Sequence, residues 1–450
     1  MGALAGYHTA VGEARSHEIY RARWIVPVGR PPIEGGEVVV REGAILSVGR
    51  QSLPASGKRE DNIHDLGEAV LFPSPVNAHT HLEWSHLEGG APKGPPFTGW
   101  VRALLASPRP EAKDQLAAAE RAARGCLASG TFSVGNFSAS LAEAPIMIEA
   151  GLGGSIFQEL IGLPASRAEP LEREARQWRE VSARNPQAIG LPVFPAPHGP
   201  HTVSRELLLR LAAELVHGGR LALHVAESTE ELEFLRTGLG PFREIHEARG
   251  GWDGSWMPPA TTPVRYLDSL GLLTPRTLAV HCVHVDGGEI RLLVRRGTSV
   301  ALCPRSNRWT GAGVAPLPSL LQAGVNCALG TDSLASNSDL DMAAELAAAR
   351  ETWPSVSPAE LVRMATLGGA LALGLHGREL GRGELSPGSR ALMAFAEIPQ
   401  GALGASDPCA ILCGDHGAVR FRKAPLSGAP RAAAPFSEER KNKPQEHKES

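Results

Sequence analysis

Along the middle of the chain, short apolar runs alternate with longer stretches whose apolar positions recur every three or four residues. The runs are VLFPSPVNAH, TFSVGN, LGGSIFQEL, IGLPVFPAPH, RLALHVAE, TLAVHCVHV, SVALCPRSN and NCALGTD. Their length and composition predict strands, and the longer stretches predict helices at 111–129, 171–183, 205–216, 288–296 and 340–350. Eight such alternations fall within residues 71–374. Strands that alternate with helices form a parallel sheet, and eight of them predict closure into an α/β fold of the (β/α)8, TIM-like barrel type. An open doubly wound sheet would alternate too, but no G-x-G-x-x-G follows an early strand.

The flanks have a different pattern. Residues 1–18 show no period and read as an N-terminal extension. Residues 19–70 are strand-like, with WIVPV and then EVVVREGAILSVG, whose tight turn falls at Glu42-Gly43. A Gly-rich, strand-prone segment, GRGELSPGSRALMAFAEIP, lies within 375–424. Neither flank alone can bury a core, so together they predict one small β-sandwich domain built from both chain ends, with the barrel inserted between them. Residues 425–450 pass from Ala and Pro to charged residues and read as a disordered tail.

Bulk properties narrow the function. At 450 residues the chain holds one large α/β domain and something smaller. A net charge of −3 and a pI near 6.6 provide no basic field for nucleic acid. Apolar stretches are too short and interrupted for a membrane span, and MGALAGYHTAVGEARSHE lacks the basic start and apolar run of a signal peptide. The six cysteines are scattered without a C-x-x-C pair, as expected of free thiols in a cytoplasmic protein.

The candidate chemistry sits at the C-terminal ends of the predicted strands, where a barrel of this type builds its active site. The first strand ends in Asn77-Ala78-His79-Thr80-His81, the fifth in His224-Val225-Ala226-Glu227 and the eighth in Gly330-Thr331-Asp332, while the sixth carries His281. Residues two apart on a strand face the same side, so His79 and His81 can chelate one ion. Among 16 histidines a lone H-x-H pair arises easily by chance. Imidazoles and carboxylates gathered at four strand ends do not, and they point to metal-assisted chemistry. His281 and His284 are three apart and face opposite sides. The alternation of the strand turns His281 toward the site and leaves His284 to a loop or a supporting contact.

The order H-x-H, His-x-x-Glu, HCVH and GTDS resembles the amidohydrolase superfamily, in its nucleoside and nucleobase deaminase branch. The finer strings AHTHLE, APHGPHTVS, HVAES, CPRSN and GTDSLASN are most similar to the aminodeoxyfutalosine deaminases of futalosine-route menaquinone biosynthesis. The resemblance runs from about Ile19 to Pro399. It implies His79, His81, His224 and Asp332 as metal ligands, with Asp332 also part of the catalytic set. It further implies Glu227 as proton shuttle, His281 as the residue that positions the attacking water, and His198 beside the substrate. Where relatives carry an aromatic residue after His198, this chain has His201. Binuclear relatives bridge two ions with a carboxylated lysine on the fourth strand. Here that strand ends in Phe194-Pro195-Ala196-Pro197-His198, and no lysine occurs between Lys113 and Lys423, so a single divalent ion is expected. Three imidazoles and a carboxylate suit zinc, and accept ferrous iron as well. Glu159 is the other carboxylate at a strand end, expected to contact substrate or support packing.

The implied reaction is hydrolytic deamination of an amino-purine nucleoside such as aminodeoxyfutalosine. Water activated by the ion attacks the carbon bearing the amino group, while Glu227 moves protons to the ring and to the departing ammonia. Candidate substrate contacts are Glu83, Trp84, His198, Arg305, Asn307 and Ser333, with Ser85 and Ser306 beside them. For Arg305 a structural salt bridge competes. Trp84 either stacks on substrate or packs, and Asn77 is expected to fix backbone or orient a ligand. A triazine-type chlorohydrolase or a guanine or cytosine deaminase would use the same water. A silent metal-binding scaffold would need the ligands but neither Glu227 nor His281. A small-molecule substrate, no nucleic acid or membrane partner, and a homodimer complete the expectation.

Overall fold

The computed structural model describes residues 17–51, 62–89, 93–94, 96–184, 191–216, 218–376 and 382–425. The predicted N-terminal extension, except for residues 17 and 18, and the predicted tail, except for residue 425, lie outside the described residues. The chain begins with β1 (Glu18–Ile25), β2 (Ile33–Arg41), β3 (Ala44–Arg50), β4 (Asn62–Asp65) and β5 (Ala69–Pro73). Then come β6 (Val76–Thr80), β7 (Ser133–Ser138), β8 (Gly153–Leu160) and β9 (Val193–Pro197). They are followed by β10 (Leu221–Val225), β11 (Thr277–His281), β12 (Ser299–Leu302) and β13 (Cys327–Leu329). The final strands are β14 (Met393–Glu397) and β15 (Arg422–Lys423).

Strands β6–β9 and β10–β13 form two parallel four-stranded sheets, each in sequence order. Two seams join them. The His224 N–H donates to the His198 carbonyl at 2.8 Å, and the Asp332 N–H donates to the His79 carbonyl at 3.0 Å. Val76, Phe137, Phe157, Ala196, Ala222, Leu278, Ala301 and Ala328, one from each strand, meet in a single buried cluster. Eight strands can meet only on a common axis, so the two sheets are one barrel. Ala370 and Leu373, from helix Gly369–Leu373, complete that cluster. The helix lies close because a Cβ on Gly368 would sit 2.2 Å from the Cys327 carbonyl oxygen, and one on Gly369 2.7 Å from that of Val76. It therefore plugs the N-terminal end of the barrel, opposite the mouth.

The helices predicted from periodicity appear as Ala112–Ala128, Ala168–Arg184, Arg205–Val216, Gly287–Arg296 and Met342–Thr352. Their apolar faces join the outward side chains of the strands: Leu207, Leu208 and Leu211 share a cluster with Leu221, Leu223 and Val225. Full burial of each such side chain stabilises the fold by about 1.5–3 kcal/mol.

A mixed, sandwich-like sheet in the order β15-β14-β5-β1-β2-β3, with β4 paired to β1, joins strands from both flanks. Tyr20, Ile25, Val38, Val40, Ile45, Leu71 and Met393 form its core. Its β2–β3 hairpin turns on Glu42 (φ 53°) and Gly43 (φ 75°), both left-handed as a two-residue type I′ turn requires. VLFPSPVNAH, expected as one strand, is two. Pro73 and Pro75 cannot donate to a ladder, and between them Ser74 Oγ donates to the Gly130 carbonyl at 2.7 Å and accepts the Phe132 N–H at 3.1 Å. The break sends β5 into the outer sheet and β6 into the barrel. Among the described residues, no helix is long and apolar enough to cross a membrane.

Gly330 lies at the seam between β13 and β6, where a Cβ would stand 2.8 Å from His79 Cβ and 2.9 Å from His79 N. We expect Gly330→Ala to destabilise the barrel by about 1–3 kcal/mol through overpacking. Denaturant unfolding checks this, and a midpoint equal to that of the wild type refutes it.

Candidate metal centre and cavity

The strand ends that close the barrel also bring the predicted polar residues together. Ligand atoms of His79, His81 and His224 lie within 4.8 Å of one another, as do those of His79, His281 and Asp332. His79 Nε2 is 3.3 Å and His81 Nε2 3.6 Å from Asp332 Oδ1. All five residues are buried. Local backbone turns aim them: Ala226, His281, Cys282 and Asp332 have φ of 52°, 73°, 45° and 58°. Left-handed backbone costs a non-glycine residue roughly 1–2 kcal/mol, and here that strain is concentrated where strands end at the site.

Hydrogen bonds fix which nitrogen each ring presents. His224 Nδ1–H donates to the His198 carbonyl at 2.7 Å, and His281 Nδ1–H donates to Asn307 Oδ1 at 3.0 Å. Both rings therefore turn an Nε2 lone pair inward. Both nitrogens of His79 and Nδ1 of His81 are buried without a hydrogen-bond partner. Burial, with His79 beside it, lowers the His81 pKa to about 3; burial, opposed by Asp332, lowers that of His281 to about 4; and burial, with His198 nearby, holds His224 well below the usual range. Burial thus favours the neutral form in these three rings, the form that binds metal. Burial alone would raise the Asp332 carboxyl, but the approach of His79, His81 and His281 holds it well below the carboxylate range. Its Oδ2 accepts from Ser306 Oγ at 2.6 Å and Ser336 Oγ at 2.9 Å, leaving Oδ1 toward the imidazoles. Neutral imidazoles, an ionised carboxylate and orphaned buried nitrogens are a fit donor set for a divalent ion, and this cluster is a divalent-metal-binding site.

Glu227 Oε1 stands 3.3 Å from His281 Nε2. Burial, with Asp332 and Glu231 nearby, pushes its carboxyl well above the ordinary range. Beyond it opens a cavity of about 790 Å³. His81, His224, Glu227, His281 and Asp332 form its floor, and Glu83, Trp84, Glu159, His198, His201 and Ser333 are among its walls. The Glu83 carboxyl accepts the Ala139 N–H at 3.1 Å, and burial beside Glu143 raises its pKa to about 7. Glu159 Oε2 is 3.9 Å from His81 Nδ1.

Two expected substrate contacts lie elsewhere. The Arg305 guanidinium is held by Asp339 at 2.6 and 3.0 Å and by Ser338 at 2.6 Å, lies 3.9 Å from Glu345, and is not among the residues that line the cavity. Asn307 faces His281 rather than the cavity. Both occupy helix Pro304–Thr310, which starts directly after β12 and carries its first turn sideways. Asn77 fixes backbone: its Oδ1 accepts the Thr331 N–H at 3.1 Å and its Nδ2 donates to Thr331 Oγ1 at 2.7 Å. His284 Nε2–H donates to the Ala312 carbonyl at 2.8 Å. Sequence reasoning missed Arg109, Arg167 and Arg249, which line the cavity from loop and helix positions without a motif. It also missed Ser336, four residues past Asp332, a spacing that was available as a signal.

Residues 70–395 match the model of the amidohydrolase family. The chain belongs to this family. It is 33% identical over 387 residues to a 5-methylthioadenosine/S-adenosylhomocysteine deaminase of Moorella thermoacetica, covering 84% of each chain. It is 34% identical over 370 residues to an aminodeoxyfutalosine deaminase of Deinococcus radiodurans, covering 78% of this chain and 82% of that one. Among solved structures it is similar to an adenosine deaminase of Xanthomonas campestris with bound zinc, at TM-score 0.71 and 26% identity over 90% of each chain. Within the family it falls in the nucleoside and nucleobase deaminase branch, and it is a hydrolase of carbon–nitrogen bonds other than peptide bonds.

Ser306 and Ser336 hold the Asp332 carboxylate through Oδ2. We expect the double variant Ser306→Ala/Ser336→Ala to weaken metal affinity roughly 10- to 100-fold, measured by competition with a chelator. Unchanged affinity would remove them from the site.

Proposed function

We propose that this chain deaminates a 6-aminopurine nucleoside whose arm beyond the ribose ends in a carboxylate, aminodeoxyfutalosine being the favoured case. The observation that carries the reading is the Glu227–His281 pair at 3.3 Å, set beside the His/Asp cluster on the floor of a cavity of about 790 Å³. A structural metal site needs only its ligands. His79, His81, His224 and Asp332 would hold the ion, and the zinc in the Xanthomonas campestris structure supports that metal over ferrous iron. When bound, such an ion supplies Lewis acidity that lets water ionise near neutral pH.

The chain's own groups do the rest. His281, tethered through Nδ1, offers Nε2 as an acceptor that orients the attacking water. Glu227 takes the proton of that water and gives it to the ring nitrogen next to the amino-bearing carbon. Its carboxylate then carries the remaining proton, that of the hydroxyl added to the carbon, to the amino group, so the C–N bond breaks to ammonia and the ring keeps a carbonyl. Burial, with Asp332 and Glu231 nearby, raises the pKa of this carboxyl, which favours its holding the proton between the two transfers. Glu83, Trp84, His198 and Ser333 line the nucleoside's path.

The outer wall selects the arm. Arg109, Arg167 and Arg249 line the cavity and are exposed. Guanidinium groups bind carboxylates in bidentate fashion, which favours aminodeoxyfutalosine, and with it a step in menaquinone biosynthesis. S-adenosylhomocysteine, which also ends in a carboxylate, is the second reading, supported by the Moorella thermoacetica relative. Six buried, unpaired cysteines support a cytoplasmic location. A homodimer, which the resemblance to paired relatives implies, belongs to the same reading.

Ammonia release from aminodeoxyfutalosine, S-adenosylhomocysteine and methylthioadenosine tests the reading, and release from none of them by metal-loaded protein overturns it. We expect Glu227→Gln to retain one equivalent of metal and lose turnover by roughly 10²- to 10⁴-fold. Loss of the metal in that variant would show the carboxyl to be a ligand instead. Arg167→Ala and Arg249→Ala should raise KM roughly tenfold for carboxylate-bearing substrates. Methylthioadenosine, which lacks the carboxylate, should be unaffected; an equal effect on it would refute the anionic wall.

A further inference from the structure

Glu231 is buried within helix Thr229–Thr237 and has no place among the ligands or the cavity walls. Ser228 caps that helix, its Oγ accepting the Glu231 N–H at 3.2 Å. With Ser at the N-cap and Glu three residues on, local chemistry would have the Glu carboxylate return to the N-cap N–H as a capping box. The chain has a true example at Asp286 and Glu289, where Glu289 Oε2 accepts the Asp286 N–H at 2.9 Å. Glu231 does something else. Its Oε1 accepts the Ala226 N–H at 3.1 Å and its Oε2 the Glu227 N–H at 2.8 Å. The carboxylate is diverted past its own helix onto the end of β10.

That segment needs holding. Ala226 is left-handed at φ 52°, and on its other side its carbonyl accepts the His284 N–H at 2.9 Å. The turn it makes is what directs Glu227 away from the strand and toward His281. Charge-assisted bonds to consecutive N–H groups hold two successive peptide planes at a fixed angle to each other, where one bond would leave the second plane free to rotate. Taking up these bonds also leaves no buried donor unsatisfied at a strained turn.

We propose that Glu231 is a positioning residue for Glu227: its buried carboxylate clamps the Ala226 and Glu227 amides and so sets the angle at which the Glu227 carboxyl meets substrate. This rests on Glu227 being the proton shuttle. Glu231 itself touches neither ion nor substrate. Glu231→Gln keeps size and burial but turns an NH2 donor against one of the two N–H groups, so the clamp opens on one side.

The test is a double-mutant cycle on the metal-loaded protein with Glu231→Gln, Glu227→Gln and the pair. A misplacement of about 1 Å in the reacting geometry costs on the order of 100-fold. Glu231→Gln should therefore lower kcat about that much, with KM and metal content close to wild type. In the Glu227→Gln background the same change should cost nothing more, because it acts only through Glu227. Amide hydrogen exchange at Ala226 and Glu227 should quicken in Glu231→Gln. Wild-type kcat in Glu231→Gln, unchanged exchange, or a full additive loss in the pair would overturn the proposal, the last marking a general structural role. Should Glu227→Gln itself turn over normally, the shuttle reading fails, a result distinct from these. Glu231→Asp, which reaches one amide but keeps the charge, should recover part of the lost kcat; no recovery counts against the clamp.

Discussion

Imidazoles and an ionised carboxylate cannot share a buried barrel mouth unless each polar atom is given a partner. This constraint governs the architecture around the site. His224 and His281 each commit Nδ1 to a protein acceptor, Asp332 commits Oδ2 to two serine hydroxyls, and what remains points to a common centre. Neither nitrogen of His79 makes a hydrogen bond, although Nε2 lies 3.3 Å from Asp332 Oδ1. Leaving such groups buried and unpaired costs about 1–3 kcal/mol each, so the cluster is suited to a cation, which would stabilise the barrel mouth on binding.

The same residues also close the barrel. One seam is a hydrogen bond from the Asp332 amide to the His79 carbonyl, and the other runs from the His224 amide to that of His198. Ligand geometry and barrel closure are thus one structural fact seen from side chain and backbone. Strain at Ala226, His281, Cys282 and Asp332 is held in place by this closure. A site on strand ends locked in this way can fix reacting groups more closely than one on free loops.

Above that floor the cavity changes character. Its deep part is buried and holds carboxyls with raised pKa values, Glu83 at about 7 and Glu227 above its ordinary range. Its outer wall carries arginines on exposed loop and helix positions. Under the proposed function, the floor would set the reaction type and the arginines of the wall the choice of substrate. Members of one family can therefore share a floor and differ in substrate.

The alternation of apolar runs and helical periods determined the barrel, because a buried parallel strand must be apolar on both faces and the helix that covers it on one only. His79, His81, His224, Glu227, His281 and Asp332 were legible for the same reason: a polar residue ending such a run has nowhere to go but the mouth. Contacts that depend on the direction of a short turn were not legible. Two prolines split VLFPSPVNAH between two sheets, and a helix starting directly after β12 turned Arg305 to Asp339 and Asn307 to His281. Arg109, Arg167 and Arg249 come from distant segments with no shared spacing, and only the fold brings them to one cavity. Local pattern thus determined the elements and the polar ends of the strands. The tertiary structure decided partners, because a side chain's neighbours across a barrel are set by closure and turn geometry, which leave no period in the chain.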